Sequence, residues 1–233
     1  MQTLKKILPP VLVAAEFVFF LLIVVFDVGN ISALCYASVA AAFLFTLVYV
    51  KDKKNNYLIS LALLFTLAAD FFLVVLGDQS LRWAGLTVFV VVQATYAVYL
   101  SKGMGKKRLV ATLSARGGLT VAIIVVALAV LGSNADYLGV VSAVYVVNLF
   151  CNIVISAIDI KKYFLLFIGL VLFILCDVSL GLAIAEGTYF SYPTGSLIYN
   201  YVHSGVNTTW LFYIPSQTLI ALFAAKKSTS DLS

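Results

Sequence analysis

Charge is scarce in this sequence. Asp, Glu, Lys and Arg together make 11% of its 233 residues, where a soluble protein carries about 25%. No water-facing surface can be built from so few charges, which excludes a soluble domain. Histidine occurs once, at His203, with no His, Asp or Glu at ligand spacing around it, so no metal centre is expected. The three cysteines, Cys35, Cys151 and Cys176, form no Cys-x-x-Cys pair. That argues against a disulfide framework or a structural zinc site, and in apolar runs each reads as a small hydrophobe. A Gly-rich phosphate loop, a haem motif and a nucleotide fingerprint are also missing, so no cofactor is expected. What the chain has instead is apolar bulk: 63% hydrophobic residues and a mean hydropathy of +1.09. The sequence predicts an integral membrane protein with short loops and no extramembrane domain.

Backbone groups in lipid must be satisfied internally, so the long apolar runs should be helices, and no alternating barrel pattern is present. Eight spans are expected, at about 8–26, 32–50, 57–77, 83–101, 110–131, 137–158, 163–185 and 205–225. The predicted fold class is an all-α polytopic bundle forming a single transmembrane domain. With the N-terminus inside, the inner segments hold Lys5, Lys6, Lys51, Lys53, Lys54, Lys102, Lys106, Lys107, Arg108, Arg116, Lys161, Lys162, Lys226 and Lys227. That is 14 of the 15 basic residues. Arg82 alone lies outside, with Asp27, Asp78, Asp136 and Glu186. The positive-inside rule then puts both termini in the cytoplasm. The net charge of +5 follows from this topology and requires no nucleic-acid partner. One long outer segment, 186–204, carries Tyr189, Tyr192, Pro193, Tyr199, Tyr201 and His203, and reads as an aromatic belt anchor, or as an interfacial lid or helix. Asn207-Thr208-Thr209 matches a glycosylation sequon but opens the last span, so it is set aside.

Ionisable groups at membrane depth are costly and mark function by default. Asp70 in span three and Asp177 in span seven stand out. Both spans run outward, and each carboxyl lies roughly 20 Å from the inner boundary at 1.5 Å rise per residue. Their contexts run in parallel, with Gly77 and Gly181 following and a glutamine in each next span, Gln93 and Gln217. A parallel 4+4 repeat is suggested. Glu16 in span one lies nearer the inner interface, and Arg116 in span five is expected to snorkel. Further polar residues recur at helical spacing: Gln93, Tyr96 and Tyr99 on span four; Tyr145, Asn148, Asn152 and Ser156 on span six; Tyr213 and Gln217 on span eight beside Pro215. For Thr66, Asn152 and Ser156, hydrogen bonding between helices is the simpler role. Span five is almost purely aliphatic from Val121 to Leu131 and is expected to face lipid.

Two neighbouring carboxyls in a low-dielectric medium do not both ionise readily, so the pair offers one acid and one carboxylate. Acetals and acid-labile ethers suit such a site, since their cleavage passes through an oxocarbenium-like cation. A serine triad lacks a buried base.

Four stretches carry a family resemblance: Leu63-Leu64-Phe65-Thr66-Leu67-Ala68-Ala69-Asp70, Phe89-Val90-Val91-Val92-Gln93-Ala94-Thr95-Tyr96, Leu172-Phe173-Ile174-Leu175-Cys176-Asp177-Val178-Ser179-Leu180, and Tyr213-Ile214-Pro215-Ser216-Gln217-Thr218-Leu219-Ile220-Ala221-Leu222. Together they resemble the lysoplasmalogenase (YhhN-like) family of eight-span membrane proteins, over nearly the whole chain. This chain departs at Ala69 and Cys176, where the family has glycine and serine, and at Gln93, where it has histidine. The Lys-Pro near the second span is missing. Both aspartates, Tyr96, Tyr213 and Gln217 are kept. The resemblance implies hydrolysis of the vinyl-ether bond of a lysoplasmalogen to a fatty aldehyde and a glycerophospho-base. Asp70 and Asp177 would be catalytic, and Gln93, Tyr96, Asn148, Tyr213 and Gln217 would contact substrate. The implied partner is a lysophospholipid or other membrane lipid. A small-solute or proton-coupled transporter and a non-catalytic lipid-binding protein are the alternatives.

Overall fold

In a medium without hydrogen-bond partners, apolar runs close their own backbone bonds and become helices. The computed structural model describes residues 2–26, 31–51, 56–186 and 191–226. These fold into α1 (Gln2–Phe20), α2 (Ile31–Leu47), α3 (Asn56–Asp70), α4 (Arg82–Ser101), α5 (Lys106–Leu131), α6 (Tyr137–Ile158), α7 (Ile160–Ala185), a short α8 (Leu197–Val202) and α9 (Thr208–Ala225). There is no β-strand among the described residues. Two π-helical turns continue α1 (Leu21–Val25) and α3 (Phe71–Leu76). Six helices are long and apolar enough to cross a membrane. Of the other two long ones, α2 is apolar but has 17 residues, and α9 has 18 and contains Pro215. The chain is therefore an all-helical, multi-pass membrane protein. Asp27, Lys53, Lys54, Tyr189 and Lys227 lie outside the described residues.

Side-chain caps fix several helix starts. Asp136 accepts from the Gly139 N–H at 2.8 Å, and Ser196 Oγ accepts from the Tyr199 N–H at 3.2 Å. Asn207, the sequon residue, accepts from the Trp210 N–H at 3.4 Å. Its role is that of an N-cap, which frees the first turn of α9 from an unpaired donor.

The helices form a ring in which α3 packs on α4, α4 on α6, α6 on α7, α7 on α9 and α9 back on α3. Outside it, α2 fills the groove beside α3 and α9, α1 lies on α2 and α9, and α5 lies on α6. This adjacency is duplicated. The neighbours α1–α2, α2–α3 and α3–α4 recur as α5–α6, α6–α7 and α7–α9, and the halves join by α4 on α6 and α9 on α2. The parallel repeat suggested by two short matching segments thus extends to the packing of whole helices. Close approach within the α7–α9 pair depends on Gly169. A Cβ there would sit 2.7 Å from Ile220 Cγ1 and 3.2 Å from the Ser216 carbonyl, and Ser216 Oγ donates to the Gly169 carbonyl at 2.8 Å.

Helix α5 has no buried residue, in keeping with a lipid-facing aliphatic span. Arg116 departs from expectation. Rather than snorkelling, it turns onto α6 and donates to Asn148 Oδ1 at 3.0 Å and to Asn152 Oδ1 at 2.7 Å. Two amide acceptors one turn apart take the two terminal guanidinium nitrogens, which weakens the drive to reach the interface although Nε stays buried without a hydrogen bond. In the other half, Glu16 of α1 similarly meets α2, accepting from Ser38 Oγ at 2.5 Å. Buried Asn56 ties the inner ends together, donating to the Tyr49 carbonyl at 2.8 Å and the Ala224 carbonyl at 3.0 Å.

Candidate active site

Asp70 is the last α-helical residue of α3, and the chain winds directly into the wider turn Phe71–Leu76. Such turns recur at functional sites, because they re-aim the side chains around them. The turn ends at Gly77, whose φ of 60° is left-handed and costs glycine nothing. Asp70 is buried at 3% exposure, and its Oδ2 accepts from the Tyr213 hydroxyl of α9 at 2.6 Å. Asp177 sits on α7 and is half-buried. Its Oδ2 accepts from the Tyr145 hydroxyl of α6 at 2.6 Å. Each carboxyl is thus held by one tyrosine from a neighbouring helix, and each keeps its Oδ1 free of any described hydrogen bond.

Two phenylalanines lock this arrangement. Phe173 packs edge-on against Tyr213 at 5.5 Å between centroids and against Phe89 at 5.7 Å. Phe89 lies 5.6 Å from Tyr145. Edge-to-face contacts of this kind fix ring direction, and ring direction fixes where the tyrosine hydroxyls point.

Both aspartates line one cavity of about 370 Å³, walled by Cys35, Phe89, Phe173, Trp210 and Tyr213. A second cavity, of about 360 Å³, lies between α4, α6 and α7 and is lined by Arg82, Ser142, Tyr145 and Asp177. Leu73, Asp177 and Leu180 belong to both. Leu73 and Leu180 each lie three residues beyond an aspartate, so the repeat places equivalent leucines between equivalent cavities. Neither aspartate has an ion-pair partner among the described residues. With no cation to balance two charges, ionising one carboxyl makes ionising the other costlier.

Of the residues expected at the site, the structure gathers Asp70, Asp177 and Tyr213. It puts Gln93, Tyr96, Asn148 and Gln217 elsewhere, and none of the four lines either cavity. Gln93 is fully buried and accepts from Asn152 Nδ2 through Oε1 at 3.0 Å. Asn148 serves Arg116. Tyr96 and Gln217 are fully buried in the bundle core. Helical spacing put Gln93 and Tyr96 on the stripe of Phe89, Gln217 on that of Tyr213 and Asn148 on that of Tyr145, each one or two turns deeper, and depth separates them from the cavities. The residue that sequence reasoning left off the site is Tyr145. Depth carries the signal for it: Tyr145 is eight residues in from the outer end of α6, and Asp177 eight in from the outer end of α7.

The described part of the outer segment contains the short helix α8, one of the forms expected for it, and none of its described residues lines either cavity. Tyr201 of α8 meets Ser179 Oγ at 2.6 Å, and Tyr192 donates to the Leu182 carbonyl at 3.2 Å. His203 lies 3.6 Å from Glu186. No group of three or more His, Cys, Asp or Glu suited to a metal occurs among the described residues.

Comparison with curated proteins and with solved structures gives no match. The sequence model of the YhhN family matches residues 29–224, a stretch that runs through both aspartates, both tyrosines and all the walls of the shared cavities. The chain belongs to the YhhN family.

Proposed function

We propose that this protein is an intramembrane hydrolase of the vinyl-ether bond in single-chain ether phospholipids, the lysoplasmalogens. The observation that carries the reading is the pair of aspartates from equivalent helices in one cavity, each oriented by a tyrosine. Family kinship supports it. The protonated carboxyl gives its proton to the vinyl carbon that bears the hydrocarbon chain, leaving an oxocarbenium ion at the carbon bonded to the ether oxygen. The other carboxylate stabilises that cation and takes a proton from the water that adds to it. The hemiacetal then collapses to a fatty aldehyde and the glycerophospho-base alcohol. One water is consumed, and the pair ends with its original proton count.

The roles first considered for Gln93, Tyr96, Asn148 and Gln217 pass in this reading to Tyr145 and Tyr213, which touch the carboxyls. The membrane lipid is the partner, and no cofactor takes part. Purified protein should release aldehyde from lysoplasmalogen, and Asp70→Asn and Asp177→Asn should each reduce release to background while the helical spectrum stays intact. Undiminished release from either variant contradicts the mechanism.

The duplicated packing favours one second reading, a carrier that binds a proton or cation at the repeat interface. Substrate-driven uptake into proteoliposomes, without aldehyde release, would establish it instead.

A further inference from the structure

Arg82 is the one basic residue that the charge bias leaves on the outer side, against the trend of all the others. It does not point away into the water layer alone. It lines the cavity between α4, α6 and α7 whose inner wall is Asp177 and Tyr145. No carboxylate pairs with it among the described residues. It is also the first residue of α4, whose amino-terminal end favours anions. The equivalent cavity in the other half, lined by Cys35, Phe173 and Trp210, has no cation in its walls. The two cavities have Leu73, Asp177 and Leu180 as common wall residues, so a guest in either one lies beside the Asp177 carboxyl.

We propose that Arg82 reads the phosphate of the substrate head group. The head and glycerol then occupy the α4/α6/α7 cavity, and the hydrocarbon chain runs past Asp177 into the cavity beside Trp210. This inference rests on the hydrolase reading for the identity of the occupant. The dimensions agree. Asp177 lies eight residues from the outer end of α7, about 12 Å along the helix. From phosphorus to the vinyl carbons of an extended lysoplasmalogen is about 8–9 Å at ordinary bond lengths, which with the vinyl group at Asp177 keeps the phosphate within the outer part of the cavity that Arg82 lines. Guanidinium binds phosphate in a forked, charge-assisted geometry that a hydroxyl head cannot reproduce. Ser142, midway along the wall of the same cavity, faces the free glycerol hydroxyl in this placement.

The test measures binding of a saturated single-chain alkyl glycerophosphocholine, which cannot be hydrolysed, and of the matching alkylglycerol, which lacks phosphate. Protein in a neutral maltoside detergent is titrated with each, following Trp210 fluorescence in a Trp83→Phe background. Arg82→Gln should weaken the phospholipid about tenfold or more, the usual scale for a lost charge-assisted bond. It should leave the alkylglycerol unchanged, and Arg82→Lys should recover part of the loss. The unchanged alkylglycerol affinity also shows that the variant is folded. An equal loss for both ligands, or no loss for either, overturns the proposal. Since no turnover enters this readout, it stays separate from aldehyde release: a protein that binds as predicted but releases no aldehyde keeps the Arg82 site and loses the hydrolase reading.

Discussion

Asp177 borders two cavities while Asp70 borders one, so the two carboxyls are not interchangeable although the repeat makes them equivalent. Their tyrosines hold them through a hydroxyl to Oδ2 in each case, which turns Oδ1 toward any guest. Removing a bond to a charged or partly charged acceptor in such a setting costs about 1.5–3 kcal/mol. Tyr145→Phe and Tyr213→Phe should therefore lower kcat for aldehyde release by roughly tenfold to hundredfold, with thermal stability in detergent little changed. A stability loss as large as the activity loss would make the tyrosines structural. Gln93 is the opposite case. It lies off the cavities and braces Asn152. Gln93→Leu should reduce stability by about 1 kcal/mol and leave KM unaltered, as thermal unfolding and steady-state kinetics would show. The sequence marked Asp70, Asp177 and Tyr213 because carboxyls at membrane depth are rare and a tyrosine one turn from a glutamine forms a visible stripe. It could not separate Gln93 and Gln217 from Phe89 and Tyr213, since members of one stripe differ only in depth, and depth relative to a cavity depends on how the helices pack.

At the scale of helices, the sequence reported hydrophobicity faithfully and partnership poorly. Helix α5, almost purely aliphatic from Val121 to Leu131, faces outward with nothing buried, as that composition requires. Arg116 on that same helix was expected to reach for the interface, because a single sequence does not display the two asparagines of α6 that receive it. The aromatic segment ahead of α9 forms a short helix pinned through Ser179 and Leu182, a placement set by contacts distant in sequence. The tightest pair, α7 on α9, depends on a missing side chain at Gly169. Gly169→Ala would force Ile220 and the Ser216 carbonyl apart, and overpacking of this sort costs about 1–3 kcal/mol. A clear fall in the midpoint of thermal unfolding is expected, and an unshifted midpoint would mean that the pair tolerates separation. Asn56→Leu tests the inner end in the same assay. It leaves the buried carbonyls of Tyr49 and Ala224 without this donor, and a loss of about 1–3 kcal/mol should follow.

Across the whole molecule, the halves repeat in order of packing as well as in their aspartates, glutamines and leucines. Composition alone settled the class of the protein, because so few charges admit no other solvent than lipid. The repeat was legible as two short parallel segments, and its consequence, a pair of equivalent cavities sharing Asp177 in their walls, was not, since cavities arise from packing rather than from any local pattern. The repeat is broken in function where Arg82 gives one cavity a cation and the other none. On the proposed reading, a bundle of this kind brings a lipid to an acid and a carboxylate within one cavity. It also predicts an acid limb and a base limb in the pH profile of turnover, because one carboxyl must carry a proton and the other must not.

Aldehyde release from lysoplasmalogen by the purified protein, set beside the Asp70→Asn and Asp177→Asn variants in the same membrane mimetic, tests the central claim most directly. The account predicts release by the unmodified protein and background levels from both variants. Release that survives either substitution, or no release from a folded protein over several head groups, would contradict it.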